Sequence, residues 1–263
     1  MAAWAGMRRD QGPGVTAGDT AFQRARRPEQ KRQRQDAILG AARQLALRDG
    51  VRAVTLTGIA DEVGIHKSAL LRYFETREQI FLELTAGEWR GWTAALHAGL
   101  DAARPGAPGS AALVADVVAR SFASRPLLCD LIPHTALNLE RHVSPDAVRR
   151  YKLTSLGAIR EVAGVIQRVR PDLSEGECLE FISAMASLAG ATWQMANPPP
   201  VLADLYAADP QLAPACVDLL PRLRRTAEIL LAGLIPSRNP PRAGPGRRRP
   251  AGSSPRSRRS PGA

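Results

Sequence analysis

Reactive side chains are scarce in this chain of 263 residues. Its three cysteines, Cys129, Cys178 and Cys216, and its four histidines show no CxxC, Cys/His or HExxH spacing. This argues against a disulfide framework and a zinc site, and it suits a reducing cytosol. No GxSxG or phosphate-loop motif occurs either, so nothing in the sequence indicates a nucleophile or a nucleotide site. We therefore expect no enzyme activity, no metal and no cofactor.

Long apolar runs are also missing. The longest nearly apolar segment, residues 181–196, includes Gln194. It is shorter than the roughly 20 residues that a membrane span needs. Residues 1–27 lack the apolar run of a secretory signal. We therefore expect no partnership with a membrane.

Positive charge is concentrated at the two ends of the chain. The formal net charge is +11, and residues 1–34 carry +5, residues 236–263 carry +8 and the rest carries −2. Both ends are poor in apolar residues and rich in Arg, Gly and Pro, which predicts a disordered basic arm at residues 1–27 and a disordered tail at 236–263. Basic tails can bind nucleic-acid phosphates, and they can equally be solvated segments without a partner.

Between these ends the strong sequence patterns are helical, and no alternating strand pattern is found, so we predict an all-α fold. The predicted helices span residues 28–48, 56–63, 67–74, 76–100, 110–123, 126–139, 145–169, 174–195 and 210–234. The predicted N-caps are Thr55, Ser110 and Ser144, and the predicted capping boxes are Thr76 with Gln79 and Ser174 with Glu177.

One segment, LTGIADEVGIHKSALLRYFE at residues 56–75, has the spacing of a helix-turn-helix. Ala60 is small enough for two helices to cross closely, and Gly64 stands at the turn, where a positive φ favours glycine. Apolar residues would hold the second helix against the first: Val63, Ile65 and Leu70. The outward positions are mostly polar and can meet DNA. The buried positions alone fit a purely structural helical hairpin as well.

Residues 28–88, and above all GIHKSALLRYFETREQIF at 64–81, resemble the N-terminal domain of TetR/AcrR-type transcriptional regulators. The shared features are the long first helix, the TLTGIA entry to the second helix, the glycine turn and the RYFxTRE exit into the fourth helix. The resemblance implies a three-helix DNA-binding domain at 28–75 and a larger helical effector-binding and dimerisation domain at 76–235. It implies a repressor in the bacterial cytoplasm, at the nucleoid, which a small-molecule effector releases from a palindromic operator.

In a helix-turn-helix, the N-terminal part of the second helix enters the major groove, where side chains contact base edges and phosphates. By resemblance, Thr57, Lys67 and Ala69 should lie closest to the bases. Thr55 and Arg77 should bind phosphates. The full predicted DNA-contacting set is Thr55, Thr57, His66, Lys67, Ser68, Ala69, Leu71, Tyr73 and Arg77.

Leu71 departs from the family, which usually has a tyrosine at this position. Leucine cannot bond to a phosphate, although it can contact a thymine methyl group. We expect Tyr73 to supply the missing backbone contact. Two alternatives stay open: Arg72 can be a surface ion-pair partner, and His66 can merely cap the third helix. The basic stretch 24–34 can reach the neighbouring minor groove or backbone, or remain solvated.

The resemblance also implies a homodimer in which the last two long helices pair with their symmetry mates. An apolar face suits this role or an ordinary core: Phe181, Ile182, Met185, Leu188, Ala189 and Trp193. The predicted effector-lining residues are Trp92, Phe122, His134, Asn138, Arg141, Met185 and Trp193, with Trp89 as a further candidate. Core packing explains the aromatic members equally well. The alternative function is a nonspecific architectural DNA-binding protein driven by its basic tails.

Overall fold

The chain folds as an all-α protein, as predicted. The computed structural model describes residues 17–234, with side chains from residue 29, and over this range it contains ten α-helices and no β-strand. The helices are α1 (Ala17–Asp49), α2 (Leu56–Val63), α3 (Lys67–Leu70), α4 (Arg77–Leu100), α5 (Ser110–Ala123), α6 (Pro126–Leu137), α7 (Pro145–Val169), α8 (Glu175–Ala196), α9 (Pro200–Ala208) and α10 (Leu219–Leu234). None of these helices is long and apolar enough to cross a membrane.

Glycine and threonine set the ends of the first helices. Gly50 follows α1 with a left-handed φ of 81°, and its amide donates to the Ala46 carbonyl at 2.9 Å. Thr55 caps α2, because its hydroxyl accepts from the Gly58 amide at 3.0 Å. Gly64 ends α2 with a φ of 70°. The predicted cap and the predicted glycine turn are both confirmed.

The first helix is longer than predicted. It begins at Ala17 rather than near Pro28, so the prediction of disorder is wrong for residues 17–27. Residues 17–27 include three alanines and three arginines, which favour helix, so Pro28 does not mark the start of α1. Residues 1–16 of the predicted arm and the predicted tail at 236–263 lie outside the described residues.

The recognition helix is shorter than predicted. It ends at Leu70 rather than Phe74. The amides of Arg72 and Tyr73 donate to carbonyls three residues earlier, at 3.2 and 2.9 Å, so the chain continues as tight turns. Residues 71–74 therefore follow the path of the helix for about one more turn before α4 begins.

Helix α4 connects the DNA-binding half to the rest of the protein. Thr76 caps it by accepting from the Gln79 amide at 3.1 Å. The Gln79 side chain accepts from the Glu75 amide at 2.6 Å rather than from Thr76, so the predicted capping box is displaced by one residue. The helix has 24 residues and ends at Leu100 as predicted. It is therefore about 36 Å long, and it packs along α7.

The remaining helices form the body. Helix α8 packs against α6, α7 and α10, and α5 packs against α10. Buried apolar side chains form one cluster from α1 to α10. The Ser144 cap and the capping box of Ser174 with Glu177 are confirmed. Ser110 is not a cap, because Gly109, with a φ of 80°, occupies the N-cap position of α5.

The C-terminal helices differ most from the prediction. An additional helix, α9, opens with Pro200, which the first helical position tolerates because its amide needs no partner there. The last helix begins at Leu219 rather than Pro210. Residues 210–215 form a 3-10 helix that contains Pro214, which has no amide hydrogen to continue an α-helix. Helix α6 ends at Leu137, before a short 3-10 helix at 139–141.

Candidate DNA interface and the loop behind it

The predicted DNA-contacting residues of α2 and α3 form a largely accessible surface. Leu70 and Phe74 point inward and are buried, which anchors the segment to the core. Leu71 is 44% exposed. The other exposed members are Thr55, Thr57, His66, Lys67 and Ser68, and the partly buried ones are Ala69 and Tyr73. This arrangement suits insertion of α3 into a major groove.

Two alternatives to DNA contact are not supported by the structure. His66 occupies the N-cap position of α3, but its side chain makes no capping hydrogen bond. Arg72 is exposed and has no ion-pair partner among residues 29–234. Both side chains are therefore available to a partner.

Arg77 requires a correction, because its guanidinium faces the protein. Its Nε donates to the Val54 carbonyl at 2.5 Å, and a terminal nitrogen donates to the Val51 carbonyl. The group also lies 4.5 Å from the centre of the Phe81 ring. A guanidinium that is committed to carbonyls and a ring has little left to offer a phosphate. Arg77 braces the loop between α1 and α2, which we name the 50–55 loop.

The same loop is held from the other side by α6. The Asp130 carboxylate accepts from the Val51 amide at 2.9 Å. Its second oxygen accepts from the Gln194 side chain of α8 at 2.8 Å. The amide of Val51 is thus bonded to α6 and its carbonyl to Arg77 of α4. One residue of the DNA-binding half is therefore fixed by two helices of the body.

Asp130 is held in its charged form by these contacts. Burial would raise its pKa, but the approach of His134 and the hydrogen bonds from Val51 and Gln194 outweigh burial and lower it. His134 Nε2 lies 3.6 Å from the carboxylate, just beyond hydrogen-bond distance, and no hydrogen-bond partner lies within reach in the described part of the chain. A charged acceptor therefore holds the 50–55 loop.

The predicted effector-lining residues do not line one cavity, which corrects the prediction. Trp92, Phe122 and Met185 are fully buried in the core, where the rings of Trp92 and Phe122 lie 4.9 Å apart. Asn138 and Arg141 are exposed at the end of α6 and beyond it. Large apolar side chains such as Trp92 pack equally well in a core or along a pocket, so residue type alone could not distinguish the two locations. Trp89 is also buried in the core.

His134 and Trp193 do share a cavity, at the junction of the two halves. It has a volume of about 310 Å³, and we call it the junction cavity. Its walls come from the end of α1, the 50–55 loop, α6 and the end of α8, and they include Asp130, Gln194 and Asn197. The cavity lies directly against the hydrogen bonds that hold Val51.

The predicted dimer face of α8 is mostly core. Phe181, Ile182, Met185 and Ala189 are buried within the chain, because α6, α7 and α10 pack over them. Leu188 remains exposed on the outer side of α8. Other large apolar side chains are exposed on α8, α9 and α10: Met195, Val201, Leu202, Leu205 and Ile229.

Sequence reasoning missed Asp130 and the inward role of Arg77. The signal for Asp130 was present, since it is the one carboxylate in the otherwise apolar α6 sequence PLLCDLIPHTAL and stands four residues before His134. A lone carboxylate on a buried helix needs hydrogen-bond donors. The identity of that donor, a backbone amide 79 positions earlier in the chain, has no sequence signature.

Comparison with known proteins identifies the family. The model for the N-terminal domain, "Bacterial regulatory proteins, tetR family", matches residues 38–84, and the "Tetracyclin repressor-like, C-terminal domain" model matches residues 86–238. The chain belongs to the TetR family. It is therefore a TetR-family transcriptional regulator, in a family of DNA-binding proteins that are not enzymes. No curated protein sequence matches the chain.

Solved structures of bacterial proteins match the chain at low sequence identity. Thermus thermophilus FadR, a TetR-family repressor solved with lauroyl-CoA, is 17% identical, with a TM-score of 0.49 over 84% of this chain and 100% of its own. PfmR of the same organism is 18% identical, with a TM-score of 0.47 over 74% and 93%. Mycobacterium smegmatis AmtR is 20% identical, with a TM-score of 0.39 over 86% and 99%.

Proposed function

We propose that this TetR-family regulator is a repressor that binds a palindromic operator as a homodimer and leaves it when a small molecule binds. We assign DNA recognition to residues 28–75, and effector binding and dimerisation to residues 76–235. The observation that carries the proposal is the accessible surface of α2 and α3, mounted on the buried Leu70 and Phe74.

Six residues of this surface have assigned roles in the proposal. The Lys67 ammonium reads guanine or contacts a phosphate, and Ala69 and Leu71 contact thymine methyl groups. Thr57 and Ser68 donate to base edges or phosphates. The Thr55 hydroxyl accepts one hydrogen bond to cap α2, and its hydrogen remains able to donate to a phosphate.

Selection of bound sequences from random DNA tests this proposal directly. We expect one palindrome with half-sites about 34–36 Å apart, bound at least about 10³-fold more tightly than random DNA. Lys67→Ala should lower operator affinity about 10-fold or more, because a lost base contact is worth roughly 1–3 kcal/mol. Arg160→Gln, at an exposed position of α7, removes a charge elsewhere and should not change operator affinity.

A different set of results would favour the alternative function. An architectural DNA-binding protein would show no preferred palindrome, and a chain without residues 1–27 and 236–263 would lose its affinity for every sequence. Equal binding of the Lys67→Ala variant and the unmodified protein to the selected site would reject the role of α3.

The effector site that we propose is the junction cavity. A ligand among Asp130, His134 and Trp193 would displace α6 from the 50–55 loop, and only unequal affinity for the two arrangements can shift the equilibrium. A metabolite fraction that dissociates the unmodified protein from the operator should not dissociate the Trp193→Ala variant. Without the fraction, the variant should bind the operator as tightly as the unmodified protein. A saturating effector that leaves operator affinity unchanged would refute the mechanism.

We propose that the dimer forms through the outer faces of α8 and α10. Leu188 and Met195 on α8 and Ile229 on α10 are exposed apolar side chains in the single chain, and Leu202 and Leu205 of α9 extend the same apolar character. Exposed apolar patches of this kind mark association sites. Leu188→Asp combined with Ile229→Asp should yield a monomer in sedimentation experiments, whereas Leu153→Asp, at an exposed position of α7, should leave the assembly intact.

A further inference from the structure

A basic groove runs between α1 and the segment that follows α3. It has a volume of about 680 Å³, and we call it the basic groove. Its lining residues are Gln30, Lys31, Gln33, Arg34, Ala37, Arg72 and Tyr73. Three of these side chains are cationic and none is a carboxylate. The groove therefore has the composition of an anion site.

Within the described side chains, residues 29–234, the cations of this groove have no carboxylate partner. Lys31, Arg34 and Arg72 form no ion pair with any residue of the range 29–234. The neighbouring Arg32 behaves differently, because its guanidinium contacts the Glu29 carboxylate at 2.8 Å. Like charges that face a common space repel one another unless an anion enters. The groove is therefore complementary to a negatively charged partner.

The position of the groove indicates which anion enters. Tyr73 lines it and lies only six positions after Lys67, the first residue of α3. A duplex that receives α3 in its major groove carries a phosphate every 3.4 Å along each strand. We therefore expect one sugar-phosphate backbone to pass beside the segment that follows α3. Neither Lys31 nor Arg34 belongs to the helix-turn-helix itself.

We propose that the basic groove binds a backbone phosphate of the duplex, outside the base pairs that α3 reads. Lys31, Arg34 and Arg72 neutralise the phosphate, and the Tyr73 hydroxyl donates a hydrogen bond to it. The inference rests on DNA recognition by α3. It assigns part of the affinity, and none of the sequence preference, to α1.

The salt dependence of binding tests the assignment. Lys31→Gln combined with Arg34→Gln should lower the slope of log affinity against log salt by about 1.8 for a dimer, because each lost phosphate contact removes about 0.9. Between 50 and 200 mM salt, the affinity of this variant should therefore fall about 12-fold less than that of the unmodified protein. Operator and random DNA should be affected equally.

Matched variants separate the groove from general charge effects. Arg104→Gln combined with Arg160→Gln removes the same amount of positive charge at positions outside the groove. Arg104 follows the C-terminal end of α4 and Arg160 is exposed on α7, so this variant should keep the full slope. Lys31→Arg combined with Arg34→Lys keeps the charge and should keep the slope too.

An unchanged slope in the Gln double variant, or a reduced slope in the charge-conserving variant, would overturn the proposal. A larger loss on the operator than on random DNA would also overturn it, because that loss would indicate base reading. If the unmodified protein prefers no palindrome, the repressor proposal fails, whereas the slope on random DNA still tests the groove.

Discussion

Replacing Asp130 with alanine should loosen the attachment of the DNA-binding half to the body. The substitution leaves the amide of Val51 without its acceptor at 2.9 Å, in a residue that is 1% exposed. A hydrogen bond to a charged group contributes about 1.5–3 kcal/mol. The bond to Gln194, whose side chain is exposed, adds about 0.5 kcal/mol. We expect a total loss of about 2–3.5 kcal/mol in the free energy of unfolding.

Thermal unfolding of the full chain measures this loss. For a protein of this size, about 2–3.5 kcal/mol corresponds to a decrease of roughly 4–14 °C in Tm. Asp130→Asn keeps the shape and one neutral acceptor, so it should lose about half as much. Gln194→Ala should cost no more than about 0.5 kcal/mol, because it removes only the exposed bond.

Operator affinity provides the second readout. If Asp130 orients the DNA-binding half, Asp130→Ala should bind the selected operator more weakly at a temperature where the variant is fully folded. A variant that unfolds within 1 °C of the unmodified protein would refute the energetic argument. A destabilised variant with unchanged operator affinity would leave Asp130 a structural role only.

Two further predictions concern the turn and the pH dependence. Gly64→Ala should destabilise the protein by about 1–2 kcal/mol, because its φ is 70° and a Cβ there meets no atom within 4 Å, so the cost is conformational alone. Gly40→Ala, at an open position inside α1, should instead stabilise by roughly 0.5–1 kcal/mol in the same denaturation assay. Since the pKa of Asp130 lies below its ordinary value of 3.8, its carboxylate stabilises the fold above that pH and loses this contribution as the pH falls through the lowered pKa. The difference in unfolding free energy between the unmodified protein and Asp130→Asn should therefore be constant at neutral pH and shrink below about pH 4, and a difference that grows on acidification would contradict the assignment.

Local signals predicted the helix-turn-helix correctly. The Thr55 cap and the Gly64 turn each depend on residues within four positions, and the structure confirms both. Boundaries failed where local preference was ambiguous. Pro28 can start a helix or interrupt one, and the tight turns after Leu70 depend on how the chain enters α4.

Long-range contacts decided the rest of the site, and these had no pattern in the sequence. Arg77 was assigned to phosphate by its place in the family motif, yet its nearest acceptors, the carbonyls of Val51 and Val54, lie more than twenty positions away. The effector prediction failed for the same reason. The sequence around an apolar residue such as Trp92 is the same whether its side chain faces a cavity or the core. Only the fold distinguishes the two environments.

The contacts of Val51 bear on the effector mechanism that we propose. An allosteric coupling of 5- to 150-fold requires only about 1–3 kcal/mol. The Asp130 bond to the Val51 amide is worth about 1.5–3 kcal/mol, so breaking it alone covers this range. Only a short loop separates Val51 from α2, which begins at Leu56. A displacement of Val51 by α6 would therefore also displace the DNA-binding helices. Arg77 would meanwhile keep the Val51 carbonyl attached to α4, so the loop should pivot about that bond rather than detach.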